Sequence, residues 1–238
     1  MNYSLHPLGD RAILIEFGKE IDEETYNSVR KISNILESEQ PEWLIEVVPA
    51  YTTLTLFYSP EYVYRAFQES RLPYEVITSE LKRLLDRLQP SIKNEQRRVE
   101  IPICYGGEYG PDLVYVAKYN YLTEQEVIEI HSSGDYLIYM LGFAPGFPYI
   151  GGMSKEISAP RRKSPRQNIP PGTVGIAGEQ TGIYPIETPG GWQLIGRTPL
   201  KLFNPTDSSP TLLQAGDRVQ FKPISHEEYV SLEGERQC

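Results

Sequence analysis

The sequence predicts an α+β N-terminal domain, a small sheet carrying two helices, followed by a mainly-β domain of barrel or sandwich form. Residues 1 to about 90 alternate strand-like and helix-like apolar periods. Residues 142–223, in contrast, hold 12 of the 20 prolines and 12 of the 19 glycines, the density of turn formers that a fold of short strands needs. The joint falls near Gln89–Gln96, which gives domains over residues 1–90 and 97–238.

In the first domain, Arg11–Phe17 reads as a strand closed by Gly18. Asp22 can cap a helix whose Val29, Ile32, Ile35 and Leu36 recur at helical spacing. Trp43–Val48 and Thr53–Tyr58 are rich in β-branched and aromatic residues, and Pro49-Ala-Tyr51 separates them into two strands. A second helix is expected from about Tyr74 to Leu88, with Ile77, Leu81, Leu84, Leu85 and Leu88 on its apolar stripe. Two helices on one face of a small sheet bury both apolar surfaces at once.

The second domain opens with a strand, Arg98–Tyr105, before Gly106-Gly107. Pro111 marks one helix start, and Thr123-Glu-Gln-Glu126 forms a capping box for another that ends near His131. Tyr136–Leu141 returns to strand, and short apolar runs follow at Thr173–Ala177, Gln193–Ile195, Thr211–Leu213 and Arg218–Phe221.

Composition excludes several classes of function. No run reaches the roughly 18 apolar residues of a membrane span, and Met1–Asp10 lacks the basic and apolar regions of a secretory leader, so a cytoplasmic location is expected. A formal net charge of −9 is contrary to the clustered cations that nucleic acid requires, so neither membrane nor nucleic acid is an expected partner. Cys104 and Cys238 stand far apart without a CxxC or Cys/His cluster, so both are expected as free thiols and no metal site is indicated. Phosphate-loop, dinucleotide, zinc-protease and serine-hydrolase signatures are all missing.

Three segments and one histidine carry candidate chemistry. Leu141-Gly-Phe-Ala-Pro-Gly-Phe-Pro-Tyr-Ile-Gly-Gly152 combines prolines that fix φ with Gly142 and Gly146, which reach conformations closed to other residues. It is expected to be a rigid loop in which Pro145 and Gly146 aim Phe143, Phe147 and Tyr149 at a pocket or a partner; the alternative is a plug at one end of the barrel. Pro160-Arg-Arg-Lys-Ser-Pro-Arg166 is a cationic cluster in an acidic protein, so Arg161, Arg162 and Arg166 are candidates for an anionic substrate, or else solvated loop charge. In the glycine-rich stretch 169–198, Gln180, Thr181, Tyr184 and Gln193 supply directional polar groups for substrate, unless the stretch is only hairpin turns. His131, at a helix end, is the candidate acid or base, with a structural role as the alternative.

These residues resemble the allophanate hydrolase subunit 1 or 5-oxoprolinase B-subunit family. The resemblance lies in Tyr105-Gly-Gly, Gly110-Pro-Asp-Leu113, His131-Ser-Ser133, Gly142-Phe-Ala-Pro-Gly-Phe-Pro-Tyr149, Pro160-Arg-Arg162, Gln180-Thr-Gly-Ile-Tyr-Pro185 and Thr188-Pro-Gly-Gly-Trp-Gln-Leu-Ile-Gly196. Leu8-Gly-Asp-Arg-Ala12 and Val48-Pro-Ala-Tyr51 extend it more loosely into the first domain. It implies a cyclophilin-like barrel and a place in a complex with two further polypeptides, the C and A subunits. That complex converts 5-oxoproline, ATP and water to L-glutamate, ADP and phosphate. The B and C subunits are implied to activate the lactam by phosphorylation, whereas the A subunit opens it, with ATP and magnesium used at the level of the complex. The sequence also resembles KipI, an inhibitor of a sporulation sensor histidine kinase, which makes kinase inhibition the alternative function. Two lower-ranked readings are a carboxyltransferase part of a urea-degrading enzyme, for which no carrier motif occurs here, and a prolyl isomerase, suggested by fold alone.

Overall fold

The computed structural model describes residues 3–68, 71–86 and 96–234. The chain divides into two compact units, Met1–Asn94 and Glu95–Cys238. Most of the joint expected near Gln89–Gln96, together with Leu88 and Cys238, lies outside the described residues.

The first unit is a four-stranded antiparallel sheet with three helices. In chain order it comprises β1 (Ser4–Pro7), β2 (Ala12–Glu16), α1 (Glu23–Glu39), β3 (Leu44–Pro49), β4 (Thr53–Tyr58), α2 (Pro60–Phe67) and α3 (Pro73–Asp86). The strand order is β1-β2-β4-β3. Strand β4 alternates, with Leu54, Leu56 and Tyr58 buried, as a sheet covered on one face must. The helices supply the cover: Val29, Ile32 and Leu36 from α1, Val63 from α2, and Val76, Ile77, Leu81 and Leu85 from α3 join Ile13 and Ile15 in one core. Asp22 caps α1 by accepting the Thr25 N–H at 2.8 Å. Two elements go beyond the sequence expectation. Strand β1 is short and exposed, and α2 starts on a Ser59 cap with Pro60 in its first turn.

The second unit is a closed seven-stranded barrel. Its elements are β5 (Arg98–Tyr105), α4 (Leu113–Tyr119), α5 (Glu124–Ser133), β6 (Tyr136–Leu141), β7 (Pro148–Gly151), a 3₁₀ turn (Lys155–Ile157), β8 (Arg166–Ile169), β9 (Thr173–Ala177), β10 (Gln180–Ile183), β11 (Thr188–Gly190), β12 (Gln193–Arg197), β13 (Arg218–Pro223) and α6 (His226–Gly234). The strands run β10-β7-β6-β13-β5-β12-β9, and β9 pairs with β10 to close the ring. The β13–β5 pair is parallel, and β8 with β11 forms a separate two-stranded ribbon. Ile101, Ile103, Ile138, Ile150, Val174, Ile176, Ile183, Ile195, Val219 and Phe221 point inward as the core. The capping box of α5 forms with both of its bonds, Thr123 and Glu126 each receiving the other's backbone N–H.

Several local expectations differ from the structure. Thr211–Leu213 is not a strand: Thr211 makes one isolated bridge to Phe203, and Leu212 N–H donates to Leu202 O at 2.9 Å without a longer ladder forming. Helix α4 starts at Leu113, after Asp112, instead of at Pro111. The second half of the expected rigid loop is strand β7, paired with β6.

Gly110 shows how tightly the barrel rim is built. A Cβ added there would lie 2.1 Å from the Ile195 carbonyl oxygen, a backbone atom that cannot swing aside. The turn is drawn onto β12 by Gly106 N–H donating to Ile195 O at 3.0 Å and Asp112 N–H donating to Leu194 O at 2.9 Å. We expect Gly110→Ala to destabilise the protein by about 3 kcal/mol, the upper part of the usual overpacking cost, seen as a lowered urea midpoint. An unchanged midpoint would show that the rim tolerates separation.

Candidate functional site

The residues singled out in the sequence assemble into two groups on opposite faces of strand β10. Successive side chains of a strand point to opposite sides, so Thr181 faces the barrel interior while Gly182 faces outward. Outside, Gly182 leaves room for two rings: a Cβ there would be 3.1 Å from both Phe147 Cζ and Trp192 Cζ3.

The inner group centres on His131, which is fully buried at the end of α5. Its Nδ1 lies 2.7 Å from the Tyr105 hydroxyl and its Nε2 lies 2.9 Å from Thr181 Oγ1. The Thr181 hydroxyl donates to Gly175 O at 3.2 Å. A single proton assignment satisfies all three bonds: Tyr105 donates to Nδ1, and the Nε2 proton is donated to Thr181. The ring stacks on Phe221 with centroids 4.6 Å apart, and Tyr136 donates its hydroxyl to the His131 carbonyl at 2.7 Å. Burial pushes the His131 pKa down to about 3, so the imidazole is neutral at physiological pH. Both His131 nitrogens are hydrogen-bonded within the protein and the ring is fully buried. Thr181 belongs to the same interior chain of hydrogen bonds.

The outer group is an aromatic wall. Phe147 is buried and stands edge-on to Phe143 at 5.4 Å, Tyr149 at 5.5 Å, Tyr184 at 5.6 Å and Trp192 at 5.9 Å. The turn 142–147 is fixed by three backbone bonds, Gly142 N–H to Phe147 O, Ala144 N–H to Gly142 O and Phe147 N–H to Ala144 O. Its left-handed residues are Phe143, φ +69°, and Gly146, φ +78°; Gly142 is not among them, contrary to expectation. A phenylalanine held left-handed is strained, and Phe143 is 71% exposed, so the turn presents this ring to solvent at a conformational cost. Pro145 is exposed beside it and Gly146 is buried.

The Pro160–Arg166 segment is laid against the wall. Arg162 N–H donates to Gly191 O at 2.7 Å, and the Gln193 side chain donates to Pro160 O at 2.8 Å, so Arg161 is bracketed by anchored neighbours while its own side chain is exposed. Arg162 and Arg166 are engaged by Asp112, whose carboxylate is buried. Oδ1 accepts from Arg162 Nη1 at 3.1 Å and Arg166 Nη2 at 2.9 Å, while Oδ2 accepts the Leu194 N–H at 2.7 Å and lies 2.8 Å from Arg166 Nη1. Arg161 has no hydrogen-bond or ion-pair partner among the described residues. Burial raises the Tyr184 hydroxyl to about 12, against opposing pulls from the Arg161 charge, the Trp192 backbone N–H and the Arg166 charge. Gln193 is thus a strut for the arginine segment. Gln180 lies on β10, paired with Ala177.

Sequence alone groups the three arginines together and misses Asp112 as their counter-charge. Asp112 follows a helix-start proline and has the look of an N-cap, yet it makes no side-chain cap bond. Trp192 is visible within a motif but not as part of the wall. Chemically, the outer surface can hold a flat, apolar ring carrying one negative charge. Among the described residues no group of three or more His, Cys, Asp or Glu is placed to hold a metal ion.

Comparisons with known proteins agree with this architecture. The family model for the carboxyltransferase domain, subdomain C and D, matches residues 3–213. The 5-oxoprolinase B subunit of Bacillus subtilis (strain 168) is 50% identical over 230 residues, spanning 96% of each chain. Its counterpart from Escherichia coli O157:H7 is 38% identical over 218 residues, spanning 91% of this chain and 94% of that one. The crystal structure of TTHA0988 superimposes with a TM-score of 0.76 at 35% identity, over 90% of this chain and 40% of that one.

The His131 network makes a pH prediction. The folded pKa lies below the ordinary 6.5, so the unfolded chain takes up the proton first as pH falls. Its contribution is complete above about 6.5 and is lost progressively toward about 3. The urea midpoint is expected to fall between about pH 7 and about pH 5, and to fall less in His131→Gln. Equal falls in the two proteins would remove His131 from the acid response.

Proposed function

Because this chain belongs to the 5-oxoprolinase B-subunit family, on the carboxyltransferase C and D domain, we propose that it is the B component of an ATP-dependent 5-oxoprolinase. In this reading it works in the cytoplasm with the C subunit, its direct partner, and with the A subunit. The complex converts 5-oxoproline, ATP and water to L-glutamate, ADP and phosphate. ATP, with magnesium, enters as a co-substrate of the assembled enzyme.

The observation that carries the reading is the bracketed Arg161 beside the Phe147, Tyr184 and Trp192 wall. 5-Oxoproline is a small flat lactam with a single carboxylate. The ring fits an aromatic face, and the carboxylate fits one guanidinium through charge-assisted hydrogen bonds. An amide is a poor electrophile because its nitrogen lone pair is delocalised into the carbonyl. Transfer of the γ-phosphoryl group from ATP to the lactam oxygen, with ADP leaving, withdraws that electron density; water adds to the ring carbon, the C–N bond breaks with the nitrogen leaving as the amine, and hydrolysis of the resulting acyl phosphate by a second water releases phosphate and the new carboxylate. This chain's part is to bind and orient the lactam for that transfer, jointly with the C subunit, whereas ring opening falls to the A subunit. No helix among the described residues is long and apolar enough to cross a membrane.

The test is reconstitution of the three polypeptides and measurement of 5-oxoproline loss and glutamate formation with and without ATP. ATP-dependent turnover that requires this chain is expected. In the same assay Arg161→Ala is expected to raise KM for 5-oxoproline roughly ten- to a hundredfold, the range for losing a hydrogen bond to a charged group, with Arg161→Lys intermediate. An unchanged KM would remove Arg161 as the carboxylate contact. Absence of turnover, with inhibition of a sensor histidine kinase's autophosphorylation, would replace the enzyme reading by the kinase-inhibitor one.

A further inference from the structure

We propose that the segment Pro160–Arg166 is a phosphate-binding strap: Arg162 and Lys163, with the backbone bend at Lys163-Ser164, receive the phosphates of the nucleotide and bring its γ-phosphoryl group to the aromatic wall. The proposal rests on the reading of the wall as a 5-oxoproline site and deepens it by giving the second substrate a place on this chain.

Charge is the first observation. In a protein of formal net charge −9, this segment holds four cations in seven residues and no acid. Among the described residues Asp112 is the only carboxylate in ion-pair contact with it, so the strap keeps a positive surplus. Arg166 is turned inward, with Nη2 at 2.9 Å and Nη1 at 2.8 Å from the two carboxylate oxygens. Arg162 gives Asp112 only its Nη1, at 3.1 Å, and its side chain stays 37% exposed, which leaves Nε and Nη2 as free donors. Lys163 is exposed and makes no hydrogen bond or ion pair among the described residues.

The backbone is the second observation. The segment is pinned by Arg162 N–H donating to Gly191 O at 2.7 Å, by the Gln193 side chain donating to Pro160 O at 2.8 Å, and by the pairing of Arg166 with Gly190. Between these anchors Lys163 and Ser164 form a bend whose two N–H groups and Ser164 hydroxyl have no partner among the described residues. Successive unpaired N–H groups in a turn, flanked by guanidinium and ammonium groups, suit the oxygens of an anion. A merely solvated run of cations needs no such anchoring and would spread to relieve its own repulsion. Here the like charges are held together, and a polyanion relieves that repulsion.

The strap borders the proposed lactam face. Gly191, which takes the Arg162 N–H, directly precedes Trp192 of the wall, and the charges of Arg161 and Arg166 both act on the Tyr184 hydroxyl. The proposed reaction brings two anions to one ring, the lactam's carboxylate and a triphosphate, and Arg161 answers only the first. In the transfer, the bond from the γ-phosphorus to the bridging oxygen breaks, its electron pair leaving with ADP, as the bond to the lactam oxygen forms. Negative charge is then spread over three equatorial oxygens, where fixed cationic donors stabilise it.

Calorimetry of the purified chain with inorganic triphosphate and with inorganic phosphate, at about 0.15 M salt, is the test. Triphosphate is expected to bind at one site per chain and more tightly than phosphate. Arg162→Ala with Lys163→Ala is expected to weaken it roughly tenfold or more, the range for losing hydrogen bonds to charged groups. Lys82→Ala with Arg83→Ala removes the same two charges from α3 and is expected to leave affinity within about twofold. Because Lys163 has no internal contact, Lys163→Ala alone leaves the fold intact and must still weaken triphosphate. In the reconstituted complex the strap variants are expected to raise KM for ATP more than KM for 5-oxoproline, the reverse of Arg161→Ala. Triphosphate binding that the strap variants abolish, in a complex that never consumes 5-oxoproline, would retire the functional reading and keep this site. Phosphate binding as tightly as triphosphate would assign the strap to the free ion and overturn the nucleotide role. So would absence of saturable binding, or equal weakening by the α3 variant.

Discussion

The outer face of the barrel depends on one buried carboxylate. A charge removed from water must recover its lost hydration from fixed donors, and removing such a charge's partners typically costs about 3–5 kcal/mol. Asp112 takes its donors from two places distant in sequence: the Arg162 and Arg166 side chains and the backbone of Leu194 on β12. Satisfying it therefore fixes where the 160–166 segment lies relative to the start of α4 and to β12. The close approach at Gly110 is part of the same arrangement, since it lets the turn before Asp112 reach the Ile195 carbonyl. What appears in the sequence as a cluster of mobile cations becomes a tied-down segment with one arginine left over.

Strand β10 turns this rigidity into a division of labour. Its inner side contributes Thr181 to a chain of hydrogen bonds running from Tyr105 through His131 to Gly175, all of it enclosed. Its outer side contributes the space above Gly182 in which Phe147 and Trp192 meet at right angles. Edge-to-face contacts place the positive rim of one ring against the negative face of another, so the five aromatic side chains hold one another's orientation as well as burying area. A polar network in the core and an aromatic surface on the wall are thus two faces of four residues of chain.

Much of the fold is legible in the sequence because local signals agree with tertiary demands. Strands Arg98–Tyr105 and Tyr136–Leu141 are apolar runs bounded by turn formers, and the barrel needs them where they fall. The α5 capping box is a purely local device and forms as its sequence implies. Strand β1 carries no comparable signal, since Ser4–Pro7 is only four residues long, has Leu5 as its one aliphatic contact to the core and is paired along one side only. Helix α6 does carry one: Ser225 and Glu228 exchange side-chain-to-backbone bonds at 3.2 and 2.7 Å, a second capping box that the sequence expectation overlooks. The site is legible as residue types but not as pairings. Nothing in the sequence places Asp112 beside arginines 50 and 54 residues later, and without that pairing the three arginines look equivalent.

The ionisation of the site's own groups says what kind of contribution this chain makes. Transferring a proton at neutral pH calls for a group whose pKa lies near 7. His131, at about 3, is neutral there, and Tyr184, at about 12, is fully protonated. Burial has moved each away from neutrality, in the direction that suppresses its charged form. Both groups are therefore fixed hydrogen-bonding elements of constant charge near neutral pH. A surface made of such parts offers shape, an aromatic face and positive charge. Those are the properties of a surface that binds and orients rather than one that transfers protons.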